Sequence, residues 1–252
     1  MAALLLPALL PSALTARPLQ RRSVLALAGT ALAASRALPA KAADDELVKM
    51  YFGAGCFWHV QHEFVLKEAE RLERRGSSFT ALTGYAGGKA LQDGKVCYHN
   101  SRDVADYGKL GHAEVVQVTI PVREVPAFAD KFIEIFGPRG YRHDPQDRGP
   151  EYRSVLGLPG GSKSELFPTI EAAAKGSPMK LVAGKGDDAD TLSTAEIFVM
   201  DSDQFPFYPA EQYHQFHNDF QGPSYGRVYN RLQTILANEG RIGPTGCPEE
   251  AF

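Results

Sequence analysis

Cysteine is scarce in this chain. Three cysteines in 252 residues are too few, and odd in number, for a disulfide scaffold. Thiols used so sparingly serve redox chemistry or fill space as small buried hydrophobes. Tryptophan occurs once, and no acidic side chain precedes Asp44. After that point no apolar run is long enough to cross a bilayer, so no membrane span is expected there. The remaining balance, 44% hydrophobic and 23% charged, is that of an ordinary globular chain of one compact domain with extras. No internal repeat is visible.

The acid-free start carries Arg17, Arg21, Arg22, Arg36 and Lys41. Its "RRSVLALAGTALAAS" stretch is a paired arginine followed by a short apolar run, and "AKA" at 40–42 resembles a small-residue cleavage site. Residues 1–42 therefore read as a cleavable leader of twin-arginine type. A second apolar run, "MAALLLPALL", precedes the arginines and favours a multipart chloroplast leader delivering the protein to the thylakoid lumen, with the periplasm as the alternative address. The whole chain has 27 basic and 30 acidic residues. Without the five basic residues of the leader, 22 face 30, a formal net charge of −8. Such a surface does not invite nucleic acid.

Residues 43–220 form the expected catalytic domain. "LVKMYFGAG" reads as a strand, and Phe57, Val60, Phe64, Ala69 and Leu72 recur at helical spacing after it. "FTALTGYAGG" reads as a strand entering a glycine turn, "HAEVVQVTIP" as a β-branched strand, and "VPAFADKFIEIFG" as an amphipathic helix with a glycine stop. "YRSVLGL" ends in a strand, "SELFPTIEAAAK" reads as a helix broken by proline, and "TAEIFVM" as a late strand. "FYPAEQYHQFHNDF" has proline where a helix starts. Strand, helix, strand, strand, helix, strand is the split β-α-β order, so the fold expected is α+β, a two-layer ferredoxin-like α/β sandwich. Residues 221–252 read as an irregular, flexible tail with one helical stretch.

Within "YFGAGCFWHV", Cys56 falls at a strand-to-helix junction. Unpaired N–H groups of a first helical turn favour a thiolate there. Taken alone, "GCFW" divides evenly between a reactive thiol and a buried core cysteine. "HVQHE" at 59–63 is faintly like a metal-binding helix, but its order is not that of zinc-protease motifs, and no metal is expected. "GYAGG" lacks dinucleotide-fingerprint spacing and reads as a turn.

Five motifs in order decide between the readings. "GCFW" at 55–58, "GYAGG" at 84–88, "GHAEVV" at 111–116, "DRGPEYRS" at 147–154 and "FYPAEQYHQ" at 207–215 together resemble the peptide methionine sulfoxide reductase A family, over roughly residues 47–220. The resemblance implies thiol-dependent reduction of the S epimer of methionine sulfoxide, in proteins first and with the free amino acid as a further candidate substrate, without a bound cofactor. It makes Cys56 the nucleophile, with a sulfenic acid as its product. Phe57 and Trp58 become the aromatic pair around the substrate methyl, and Glu114 the proton donor to the departing oxygen. Asp147 and Tyr152 become a polar pair, with Tyr152 a donor to that oxygen.

Three departures follow. His59 stands where the family usually has glycine. Asp93 replaces a tyrosine that helps hold the sulfoxide oxygen, so Tyr98 and Tyr107, in the same loop, are the candidate substitutes. One of the two usual tail cysteines is missing, with Arg227 in its place. That leaves Cys247 as the expected resolving cysteine, forming a Cys56–Cys247 disulfide recycled by thioredoxin; the alternative is an incidental Cys247 and regeneration by a small thiol or glutaredoxin. Cys97 is expected to be structural. Tyr208, Glu211 and His214 are read as either the far wall of the site or a core and cap. A monomer acting on oxidised proteins or peptides is expected. A thiol peroxidase and a non-catalytic binder of oxidised methionine are the competing readings.

Overall fold

The computed structural model describes residues 46–248; the leader and its cleavage site lie outside them. Seven strands form one sheet in the order β5-β6-β4-β1-β3-β2-β7. Its centre consists of β1 (Leu47–Gly53), β2 (Leu82–Ala86), β3 (Ala113–Pro121) and β4 (Val155–Leu158). β1 runs antiparallel to both β3 and β4, and β2 antiparallel to β3. The crossovers after β1 and β3 are α1 (Phe57–Leu72) and α2 (Val125–Ile135). This is the expected split β-α-β sandwich, with central order β4-β1-β3-β2.

Additions flank the centre. β5 (Lys180–Ala183) and β6 (Glu196–Asp201) extend the β4 edge in parallel, with α3 (Phe167–Ala174) between β4 and β5. β7 (Tyr208–Pro209) pairs with β2 at the opposite edge. α4 (Arg227–Asn238) follows and buries Tyr229, Leu232 and Leu236.

Alternation along β1 sends Val48, Met50 and Phe52 into the main core and Tyr51 to a smaller cluster with Val115, Val155 and Met200. Phe52 stacks on Phe64 of α1 at 4.5 Å and meets Phe132 of α2 at 5.1 Å, so both helices close on the same strand. Each such ring adds about 1.5–3 kcal/mol of apolar burial.

Some expected elements differ. "FYPAEQYHQF" makes the two-residue β7 and a 3₁₀ turn, Gln212–His214, rather than an α-helix. Pairing with the free edge of β2 outweighs the start signal of Pro209. In α3, Pro168 occupies the first turn, where its missing N–H breaks nothing. β5 was not foreseen; its four residues are too few for a period to show.

One buried cation ties the motif-bearing loops together. Arg153 donates from Nη2 to the carbonyls of Gly87 and Gly111, 2.9 Å each, and from Nη1 to Pro150 at 2.7 Å. "GYAGG", "GHAEVV" and "DRGPEYRS" thus converge on one guanidinium. Its five-donor fork suits three carbonyls as a lysine would not.

Candidate active site

Cys56 caps the N-terminus of α1, directly after β1. The approach is tight. A Cβ on Gly53 would lie 2.6 Å from the Glu114 carbonyl oxygen, which only glycine tolerates. Gly55 has φ +86°, and a Cβ there would sit 2.9 Å from Asp147 Oδ2. The space goes to a hydrogen bond: the Cys56 N–H donates to Asp147 Oδ2 at 2.9 Å. The next N–H, of Phe57, donates to Glu114 Oε2, also at 2.9 Å. Two carboxyl groups therefore answer the first two free donors of the helix.

Glu114 is buried on β3, and the Tyr107 hydroxyl donates to its Oε1 at 3.2 Å. Burial pushes its carboxyl up to about 8, with Asp147 adding to the rise and the Phe57 N–H opposing it. Glu114 is therefore an acid at neutral pH. The Cys56 thiol is raised well above its usual value, first by burial and then by the charge of Glu114. The Trp58 N–H pulls the other way, and Asp219 and Asp147 add to the rise. A helix start alone predicts a thiolate; here the desolvated, acidic setting outweighs it, and the resting sulfur is a thiol.

Trp58 forms a ledge beside this pair. Its Nε1–H donates to the His214 carbonyl at 3.1 Å, fixing the indole plane. Ring centroids of His217 and Phe220 lie 4.2 and 5.1 Å away, and Phe220 is 82% exposed. Phe57 is buried between Tyr85 at 6.1 Å and His214 at 5.4 Å, so it backs the site from within the core.

Tyr98 and Tyr107 stack at 5.7 Å, and Tyr98 also meets His214 at 4.2 Å. Burial raises the phenols of Tyr98, Tyr107 and Tyr152, and each feels the charge of Glu114. All three stay protonated donors. The Tyr152 carbonyl accepts the Gly55 N–H at 3.2 Å. Asp93 is exposed in a turn with φ 51°, away from this cluster. The structure thus gathers Cys56, Phe57, Trp58, Tyr98, Tyr107, Glu114, Asp147 and Tyr152 around one spot.

Cys247 is not among them. It is bonded to Cys97 across a sequence separation of 150, and Cys56 is the free cysteine. The expected Cys56–Cys247 bond is absent in this state, and Cys97 is a disulfide partner rather than a lone structural thiol. The reason is the return of the chain after α4. Residues 241–245 and the 94–96 turn line one cavity, Lys95 Nζ donates to the Gly246 carbonyl at 2.9 Å, and Cys247 Sγ lies 3.5 Å from the Val96 carbonyl.

Sequence reasoning left His214 and Glu211 undecided and did not single out His217, Phe220 or Arg153. His214 is buried, and burial lowers its imidazole to about 3, so it is a neutral ring in the wall. Glu211 accepts the Tyr85 hydroxyl at 2.8 Å and the Tyr98 N–H at 2.9 Å, tying β2 to the tyrosine loop. Tyr208, the third of that group, pairs with Tyr85 in β7. His214, His217 and Phe220 recur every third residue, but the helix expected of this segment does not form, so their meeting on one indole did not follow from that reading.

A family model described as peptide methionine sulfoxide reductase matches residues 48–238. The chain belongs to that family. A relative from Geobacter metallireducens, named peptide methionine sulfoxide reductase MsrA, is 33% identical over 70% of this chain and 93% of its own. One of the same name from Acinetobacter baumannii (strain SDF) is 26% identical over 75% and 97%. Among solved structures, reduced Mxr1 from Saccharomyces cerevisiae aligns over 68% of this chain and 83% of its own, at 22% identity and a TM-score of 0.41. Membership makes this chain an enzyme that reduces methionine sulfoxide.

Proposed function

We propose that the enzyme reduces the S epimer of peptidyl methionine sulfoxide, with Cys56 as nucleophile and Glu114 as acid. The observation that carries this is a carboxyl group held protonated near neutrality beside the cysteine. A sulfoxide bears a polar oxygen and an apolar methyl on one sulfur. The Trp58 ledge takes the methyl, and the hydroxyls of Tyr98, Tyr107 and Tyr152 face the oxygen. Only one hand at sulfur satisfies both at once.

Attack by Cys56 sulfur on the substrate sulfur places negative charge on the oxygen. Glu114 supplies a proton to that oxygen, and the thiol proton restores the carboxyl. Breaking the original S–O bond releases hydroxide and leaves a sulfonium joined to Cys56 by the new S–S bond. Hydroxide then attacks the Cys56 sulfur and breaks that S–S bond, giving methionine and a sulfenic acid, so sulfoxide and thiol become thioether and sulfenic acid. Fixed donors at such an oxygen are worth about 3–4 kcal/mol in favourable sites.

Recycling then uses the other two cysteines. Thioredoxin, a dithiol, reduces the Cys97–Cys247 bond; Cys247 condenses with the sulfenic acid, releasing water and forming Cys56–Cys247. Cys97 attacks Cys247 and frees Cys56, which returns the bond seen here. This step asks the tail to swing from Cys97 to Cys56. The addresses favoured by the leader, thylakoid lumen first and periplasm second, rest on residues 1–42 alone.

The test supplies each epimer of a methionine sulfoxide peptide with dithiothreitol, then with thioredoxin. Methionine from the S epimer alone is expected. Equal turnover of both epimers, or faster consumption of hydrogen peroxide than of sulfoxide, would overturn the reading in favour of a less shaped site or a peroxidase.

A further inference from the structure

Beside the Trp58 ledge, three side chains from separate parts of the chain meet without a task in the chemistry above. The ligand atoms of His59, His143 and Asp219 all lie within 4.8 Å of one another. His59 comes from the first turn of α1, His143 from the loop after α2, and Asp219 from the segment before α4. The two imidazoles stack at 3.8 Å with planes 9° apart. His143 Nε2 approaches Asp219 Oδ2 at 3.6 Å, beyond hydrogen-bond reach.

Asp219 is the telling member. Its side chain is 4% exposed. Oδ1 accepts the Phe220 N–H at 2.7 Å, but Oδ2 is buried with no hydrogen-bond partner. A buried carboxylate oxygen left unpaired is costly, and it persists where something else compensates it. His62, the other histidine of "HVQHE", is engaged elsewhere: its ring stacks on Tyr225 at 3.7 Å, and Nδ1 lies 3.5 Å from Glu63.

We propose that His59, His143 and Asp219 bind a divalent d-block cation, Zn²⁺ by the best chemical fit, at the rim of the Cys56 pocket. Two imidazole nitrogens and one carboxylate oxygen suit this borderline-soft ion, and three protein ligands leave a fourth position open. A metal lies in the plane of each imidazole it binds, so the stacked rings must splay on binding. His143, on a loop and with a side chain 41% exposed, has room to turn. His59 stands one helical turn past Cys56, so the bound ion sits at the mouth of the site. Reversible inhibition of sulfoxide reduction follows; that consequence, unlike the binding, rests on the function proposed above.

The test begins with binding, which needs no activity. Zn²⁺ is titrated against a chromophoric competitor into full-length Cys56→Ser protein without reductant. The serine removes the nucleophile as a ligand, and the intact Cys97–Cys247 bond keeps those sulfurs from the ion. One Zn²⁺ per chain is expected. Loss of outer-shell partners alone costs about 10–100-fold in metal affinity, so His143→Ala and Asp219→Asn should each weaken binding at least tenfold. Urea melts of the same proteins verify that they fold. Unchanged affinity in both variants, or no binding below millimolar Zn²⁺, overturns the site. In protein with Cys56 intact, Zn²⁺ should slow sulfoxide reduction and a chelator restore it. Equal inhibition of His143→Ala would mean that the ion acts on Cys56 alone, and would overturn the regulatory role.

Discussion

The two sulfur centres of this molecule are held by opposite means. Cys56 stands where β1 meets α1, with its N–H and the next one each fixed by a carboxyl group. The Cys97–Cys247 bond joins a loop to a returning tail. One centre is built where a strand and a helix of the core meet; in the other, Cys97 is buried in its loop while Cys247 is only half-buried on the tail. The difference matches the demands made on them. In the cycle proposed above, oxygen transfer from substrate to sulfur depends on fixed distances, whereas recycling depends on one sulfur reaching two others.

Replacing Cys56 is the severest way to test the division. Cys56→Ser should abolish methionine formation, by roughly a thousandfold or more, since the residue that bonds to substrate cannot be bypassed. Quantifying methionine in a single turnover with dithiothreitol measures it. The Cys97–Cys247 bond should still form in that variant. If it does not, the two centres are not independent.

Glu114→Gln comes next. Loss of a general acid should cost about 10²–10⁴-fold in rate. Because Glu114 is held up to about 8, the rate supported by its acid form should fall as pH rises through 8, and this limb should vanish in the glutamine variant. Stability carries the same signature. The folded state keeps this proton from pH 4.5 to 8, where the unfolded chain loses it, so stability falls as pH rises through that window. Melting temperatures of the two proteins from pH 5 to 9 should diverge, with the wild type losing more.

The tail centre should respond differently. Cys97→Ser should leave dithiothreitol-driven reduction intact but stall thioredoxin-driven turnover with Cys56–Cys247 trapped, visible as a mass two hydrogens below the thiol form. The lost cross-link should lower stability by about 2–4 kcal/mol, read from urea unfolding. Full thioredoxin-driven turnover in this variant would remove Cys97 from the cycle.

The same contrast explains what was legible beforehand. The Cys56 centre is local: "GAGCFW" carries the turn glycines, the nucleophile and the wall in six residues, and the strands beyond it alternate cleanly. Glu114 was legible through the family resemblance that "GHAEVV" carries. The tail centre involves partners 150 residues apart, and no periodicity links "KVCYHN" to "TGCPEE". The Trp58 ledge was half legible for the same reason. Its own helix announced it, but His214, His217 and Phe220 reach it from a segment of irregular backbone. Helix-start reasoning also gave the wrong charge for the sulfur, because its burial and the nearby charge of Glu114 appear only once β3 is placed beside α1.

The smallest effect expected is also the finest probe of the pocket, the division of labour between two tyrosines. Tyr107 donates to Glu114 Oε1 at 3.2 Å, and so acts on the acid before substrate arrives. Tyr98 packs on Tyr107 and His214, and its backbone N–H is held by Glu211. Its residue neighbour, Cys97, belongs to the disulfide, so Tyr98 is where the two centres touch. One neutral hydrogen bond is worth about 1 kcal/mol, roughly fivefold in rate. Tyr107→Phe should lower kcat by that factor and shift the alkaline limb, since a donor to the carboxylate form is lost and Glu114 then titrates higher. Tyr98→Phe should leave that limb in place and raise KM for the sulfoxide. Two flat profiles would mean that neither hydroxyl meets the oxygen, leaving Tyr152 as its donor.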